Sequence, residues 1–282
     1  MAISRRDALG DRMKRYEATT RFTLPRRTYT ILRVDGRAFH SWTRGLEKPY
    51  DTEFMSFMDM AAIELCKQIP GAQFAYVQSD EISVLAVDFL NINTEPWFEG
   101  NVQKWASVGA SIASTEFNMY VASGYFGRMY DEEHDPGAAK EYSKIAKKAP
   151  DAVFDARVYT IPDLIEVENY FVWRQQDAER NSVMMLARAY ASHKQLAGKK
   201  RADQHEIIHK AGDNWAKHPV SFKHGRVIQY HEHAEPNDKM HHSHWAVDHD
   251  TPVFTKNRAY LRSLIPLVWD EDLLVRKASA GE

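Results

Sequence analysis

Two short acidic runs carry most of the chemistry that this chain could perform. Asp35-Gly36 follows a β-branched, apolar stretch, and Ser79-Asp80-Glu81 lies between two more. Carboxylates held close together repel, and a divalent cation bound through oxygen is the natural compensation. Mg2+ suits such donors, because it keeps part of its water shell and bridges to phosphates. Two such ions roughly 3.5–4 Å apart activate an attacking hydroxyl and stabilise a leaving pyrophosphate. Taken singly, Asp-Gly and Ser-Asp-Glu are also ordinary turn sequences, in which Asp bonds its own backbone. The choice depends on whether the fold brings the two runs together.

The elements that must do this are legible in outline. Tyr29–Val34 reads as a strand that stops at Asp35-Gly36. Phe54, Met58, Ala61, Leu65 and Ile69 recur at helical spacing over 52–69, and Pro70-Gly71 ends the run. Strands 73–77 and 82–87 flank the polar turn as a hairpin. A helix from Asn101 to about Tyr120 follows, then a solvated loop over 127–152, a strand over 156–161, and a long helical region over 163–197. Strand, helix, strand, strand, helix, strand is the order of an α+β, ferredoxin-like (βαββαβ) core. In that topology the first strand lies antiparallel beside the third, about 4.8 Å away. Asp35 then converges with Asp80 and Glu81, which favours a metal site over two unrelated turns.

Around these residues, Asp35-Gly36-Arg37-Ala38-Phe39-His40 offers a turn whose amides suit a phosphate. Its single Gly matches neither the P-loop nor the GxGxxG pattern. Lys48 suits a phosphate as well as it suits solvent, and Asp51 is placed to cap helix 52–69.

The 282 residues leave room for a sizeable core, here divided into a catalytic unit with an N-terminal arm over 1–175 and a helical segment with a C-terminal extension over 176–282. Lys and Arg total 37 against 39 Asp and Glu, which excludes a uniformly basic nucleic-acid binder. RNA would have to be held by local clusters, such as those at 5–15, 26–27, 143–148 and 194–201. The lone Cys66 excludes an intramolecular disulfide. No apolar run approaches the roughly 20 residues of a membrane span, and the charged N-terminus is unlike a signal peptide. The expected compartment is the cytoplasm.

Five ordered runs, Arg33–His40, Glu47–Asp51, Gln78–Ser83, Phe154–Val158 and Trp173–Asp177, resemble the tRNA-His guanylyltransferase family. The likeness is strongest to its bacterial and phage-type guanylyltransferase-like branch, the 3′–5′ RNA polymerases. It implies a polymerase-palm core, two Mg2+ ions, and ATP and GTP as substrates that activate and extend a tRNA 5′ end. It also implies a homotetramer. Asp35, Asp80 and the Gly36 carbonyl match the metal ligands, and Glu81 an acidic position that supports catalysis. The 36–40 loop (Gly36, Arg37, Ala38, Phe39 and His40), with Lys48, Asp51 and Ser79, matches the nucleotide contacts, and Lys104 a contact to a second triphosphate. Arg157, Arg174, Arg180 and Asn181 are candidate tRNA contacts, with a structural ion pair the alternative for Arg157 and Arg174. The eukaryotic His-Ile-Asn-Asn stretch is here Glu179-Arg180-Asn181-Ser182, which points to repair of several 5′-truncated tRNAs alongside addition to tRNA-His.

Two other classes compete. His205-Glu206-Ile207-Ile208-His209 fits the H-E-x-x-H zinc-protease pattern. Six histidines (His231, His233, His241, His242, His244 and His249) could supply a third ligand, or could simply decorate a polar, solvent-facing extension. A non-catalytic RNA-binding module shares the βαββαβ order, but strand 82–87 lacks the aromatic residues on which such modules stack bases.

Overall fold

The computed structural model describes residues 8–129, 148, 151–233 and 242–267. After helix α1 (Ala8–Ala18) comes strand β1 (Tyr29–Gly36), then the one-turn helix α2 (Phe39–Trp42) and helix α3 (Thr52–Gln68). Strands β2 (Ala72–Gln78) and β3 (Glu81–Ala86) form the hairpin, helix α4 (Val102–Met129) follows, and β4 is Phe154–Ile161. Next come helices α5 (Leu164–Tyr190), α6 (His193–Leu196), α7 (Arg201–Lys210) and α8 (Val220–His224). Strands β5 (Arg226–His233) and β6 (His242–Asp248) and helix α9 (Arg258–Ser263) complete the chain. The strands form one antiparallel sheet in the order β4-β1-β3-β2-β5-β6.

The alternation within β1 explains how the sheet is covered. Leu32 and Val34 point into one core with Met58, Ala61 and Leu65 of α3 and Phe117 of α4. Tyr29 and Ile31 point into another, with Val167 and Phe171 of α5 and Phe254 and Leu261 from the C-terminal part. Both faces of the strand are therefore buried by helices, and Arg33 and Asp35 fall on the α5 side. A third cluster joins the far half of α5 to its neighbours through Val183, Leu186, Ile208 and Phe222.

Three expectations change. The helix expected to end near Tyr120 runs on to Met129, and most of the 127–152 loop lies outside the described residues. The single helical region over 163–197 is two helices. Asp163 caps the first through the amides of Ile165 and Glu166, and Ala191 is extended. Ser192 then opens the next with a reciprocal Ser192–Gln195 cap. The polar extension after residue 225 instead returns to the sheet as β5 and β6, because Val227 and Ile228 are fully buried on opposite faces. The division placed at 175/176 falls inside α5. Among the described residues, no helix is long and apolar enough to cross a membrane.

Candidate active site

The sheet brings the two acidic runs together. Asp35 pairs in register with Glu81 of β3 on one side and with Asp155 of β4 on the other. The Gly36 amide donates to the Asp80 carbonyl at 2.9 Å, which fastens the end of β1 to the β2–β3 turn. Ser79 holds that turn with a left-handed φ of 48° and hydrogen-bonds the Asp80 carboxylate. Burial pushes the Asp35 carboxyl above its usual range; Asp155 adds to this, and Arg33, Arg157 and Arg174 oppose it. Burial likewise raises Asp80, and the nearby Asp35 raises it further. Two carboxylates that are costly to keep charged without a cation fit Mg2+ chemically.

Glu81 is placed differently. Arg174 Nε and Nη2 donate to its two oxygens, each at 2.7 Å, and Nη2 also reaches Asp177 at 3.1 Å. Both carboxylate oxygens are thus engaged, so Glu81 anchors the start of β3. Arg174 is 5% exposed, so the ion-pair reading holds and the RNA contact assigned to it does not. Among the described residues, no three His, Cys, Asp or Glu side chains form a metal cage. The residues that could hold a cation here are Asp35 and Asp80 with the Gly36 carbonyl, an open set that would suit an ion retaining water and phosphate oxygens.

A cleft of about 550 Å3 opens beside Asp80. Phe39, His40, Lys48, Asp51, Ser79 and Asn181 line it, so six of the expected binding residues meet there. Their roles differ. Asp51 is committed to the start of α3, accepting from Phe54 N at 2.9 Å and Glu47 N at 3.2 Å. Lys48 and His40 are exposed and free to meet a ligand. Phe39 contributes its ring to the core, with centroids 4.9 Å from Phe154 and 5.6 Å from Phe117. A Cβ on Gly36 would come 2.4 Å from that ring, which accounts for glycine there. Ala38, at φ 56°, turns the chain into α2, whose first amides have no partner within the helix. The Arg37 amide is taken by the Val153 carbonyl at 2.8 Å, and its side chain faces solvent.

Other candidates lie elsewhere. Ser114 of α4 bonds the Phe154 amide next to Gly36. Lys104 is ten residues back along the same helix, about 15 Å away at 1.5 Å per residue. Within one chain it does not reach the cleft; its ammonium sits over the Phe98 ring. Arg157 is exposed on edge strand β4, opposite Arg33. Arg180 bonds Asp177 at 2.8 Å and lines a second cavity of about 700 Å3, with Arg201, Trp215 and Lys256. On α7, Glu206 pairs with Lys210 at 2.7 Å, so the H-E-x-x-H stretch is a surface helix whose acid is already engaged.

Sequence reasoning missed three residues. Asp155 would have followed from strand alternation once β4 was placed beside β1. Gln78 has a buried Oε1 with no partner among the described residues and lines the cleft. Arg226 forms the cleft's back wall and is held by Asp59 at 2.5 Å, a pair separated by 167 residues that no local pattern signals.

A family model for tRNAHis guanylyltransferase matches residues 10–162, which include Asp35, the 36–51 segment and the Asp80 turn. An uncharacterized protein of Acanthamoeba polyphaga mimivirus is 30% identical over 239 residues, 79% of this chain and 77% of that protein. The tRNA(His) guanylyltransferase of Debaryomyces hansenii is 29% identical over 222 residues, 73% of this chain and 75% of its own. Among solved structures, a bacterial tRNA(His) guanylyltransferase-like protein in complex with ATP matches with a TM-score of 0.75 at 37% identity, over 92% of this chain and all of that one. A bacterial protein of the same description in complex with GTP gives 0.72 at 35% identity, over 93% of this chain and all of that one. The chain belongs to the tRNA(His) guanylyltransferase family and is a nucleotidyltransferase.

Proposed function

We propose that this enzyme extends tRNA 5′ ends in the 3′–5′ direction from a ferredoxin-like palm. A 5′-monophosphate end is first joined to the α-phosphate of ATP or GTP, releasing pyrophosphate; the 3′-hydroxyl of an incoming nucleotide then attacks the tRNA 5′ phosphorus and expels AMP or GMP. The leaving group departs as pyrophosphate where the end is a triphosphate. The observation that carries this reading is the meeting of His40, Lys48, Ser79 and Asp80 in one cleft beside Asp35. Solved proteins 35–37% identical to this chain, described in complex with ATP and with GTP, support a nucleotide as its occupant.

Each group has a distinct part. Asp35, Asp80 and the Gly36 carbonyl would hold Mg2+, and a pair of such ions supplies Lewis-acid stabilisation to the attacking and leaving oxygens. Lys48 meets phosphate as a mobile point charge. The opening amides of α2 add donors to the same anion. The Arg174–Glu81 pair fixes the start of β3 so that Asp80 keeps its position. Arg180, Asn181 and Arg157 face the RNA, in an oligomer that the family relation leads us to expect to be tetrameric and cytoplasmic.

Glu179, at the position of the eukaryotic His, is held by His224 at 3.1 Å and Arg201 at 3.7 Å, which pull its carboxyl below the usual range. A fixed negative charge there repels RNA phosphate, which fits repair of several truncated tRNAs better than dedication to one. The test is kcat/KM over a panel of truncated and full-length tRNAs at one salt concentration. Broad repair predicts comparable values across truncated substrates. A preference of about 100-fold, or about 2.7 kcal/mol, for intact tRNA-His would refute it.

A further inference from the structure

The second cavity, of about 700 Å3, carries chemistry that the nucleotide cleft does not use. It is bordered by α5, α7 and the segment that follows β6, and Met184 of α5 lines both it and the cleft. Clefts of about 300–1,000 Å3 hold ligands of nucleotide size. The more enclosed polar groups here are acceptors. Gln204 is 6% exposed; its Nε2 donates to the Lys199 carbonyl at 3.3 Å, and its Oε1 has no partner among the described residues. One oxygen of Glu179 lies 3.1 Å from His224 Nδ1. The other is 3.7 Å from Arg201, beyond hydrogen-bond distance, so it still has lone pairs to offer.

Cations stand around these acceptors. Arg180, Arg201 and Lys256 line the same cavity and are all exposed. Trp215 adds an apolar wall, fixed by its Nε1 donating to Ser182 Oγ at 2.9 Å. Acceptors ringed by cations suit a ligand with N–H donors at one end and negative charge at the other. A nucleotide whose base bears an exocyclic amino group is such a ligand, since a carboxylate accepts from that group while Arg and Lys hold phosphate. It is then the base, and not a phosphate, that faces the Glu179 charge. A paired base spends its amino group on its complement, so the nucleotide must be unpaired. Beside a shortened 5′ end, the unpaired nucleotides are those of the opposite, 3′ strand.

We propose that the cavity between α5 and α7 holds one unpaired, amino-bearing nucleotide of the tRNA 3′ strand while the 5′ end lies in the neighbouring cleft. This rests on the reading that the cleft receives a tRNA 5′ end, and it names the part of that substrate which the second cavity takes.

The test is equilibrium filter binding of the full-length protein at one fixed salt and Mg2+ concentration. Three forms of one 5′-truncated tRNA are compared: the complete 3′ strand, the strand trimmed to a single unpaired nucleotide, and a strand whose unpaired nucleotides are all uridine, which has no exocyclic amino group. The parent should bind the complete RNA about tenfold or more tightly than either altered form, the share of one charge-assisted hydrogen bond. Thr255→Trp places a ring in the cavity from an exposed position and should bind all three RNAs alike, at the affinity of the trimmed form. Its melting temperature should match the parent's. Equal binding of the three RNAs by the parent, or an undiminished preference for the complete strand in Thr255→Trp, would overturn the proposal. Binding is read without turnover, so an absence of 5′-end growth would count against the proposed reaction alone.

Discussion

Replacing Arg174 with Met isolates the contribution of the ion pair beneath the acidic edge. The change keeps most of the side chain's volume but leaves Glu81 buried without its bidentate partner. The side chains are 6% and 9% exposed, so solvent cannot replace the lost donors. Removing one member of a buried pair costs about 3–5 kcal/mol. In a chain of this size that lowers the melting temperature by on the order of 10 °C. The double variant Arg174→Met/Glu81→Gln removes the stranded charge and should recover most of the loss, giving a coupling energy well above the scatter of independent sites. The pH dependence has a definite sign. Burial already raises the Glu81 carboxyl and Arg174 opposes it, so removing Arg174 raises it further. A folded-state pKa above the unfolded value favours folding below the unfolded value and loses that benefit as pH rises through the folded one. The single variant should therefore be weakest at neutral pH and regain stability on mild acidification, in melts recorded without divalent cations. A loss under about 1 kcal/mol at neutral pH, or one independent of pH, would refute the assignment of Glu81 as a buried anchor.

Three further outcomes follow from other parts of the molecule. Asp35→Asn and Asp80→Asn should each abolish nucleotide addition yet leave the melting temperature unchanged or raised, since both carboxyls are held above their usual range by burial; clear destabilisation of either variant would contradict this. Gly36→Ala should cost about 1–3 kcal/mol by overpacking against Phe39, measured by chemical denaturation, and should weaken nucleotide binding because that ring underlies the 36–40 turn. Glu168 is held below its usual range by Arg262 and Arg258, so its stabilisation is present above the unfolded carboxylate value and is lost as pH falls through its folded value. Acid titrations of Glu168→Gln should accordingly show a weaker loss of stability below about pH 4.5 than the parent does.

The catalytic edge is legible in the sequence because its partners are local runs joined by topology. Tyr29–Val34 and Ile82–Val87 are β-branched stretches, and once they are paired antiparallel, Asp35 must face Glu81. The helix cap at Asp51 is legible for the same reason, since it bonds the Phe54 amide three residues away. What escapes a linear reading is set by contacts across long separations. Arg174 and Glu81 are 93 residues apart, and Arg226 and Asp59 are 167 apart. β5 and β6 are masked by their composition, since Gln229, His231, His244 and Ser243 read as surface although Val227 and Ile228 drive the segment into the sheet. Lys104 shows the converse: its charge suits a phosphate, yet within one chain its helix places it away from the cleft, over the Phe98 ring.

The most direct test of the account is a single assay of 5′-end growth. Purified protein is incubated with labelled GTP, ATP, Mg2+ and a 5′-truncated tRNA, in parallel with the Asp35→Asn and Asp80→Asn variants. The account predicts product longer at its 5′ end with the parent enzyme, label at the new terminus, and no extension with either variant. Extension by the variants at the parental rate, or label found only at the 3′ end, would contradict it.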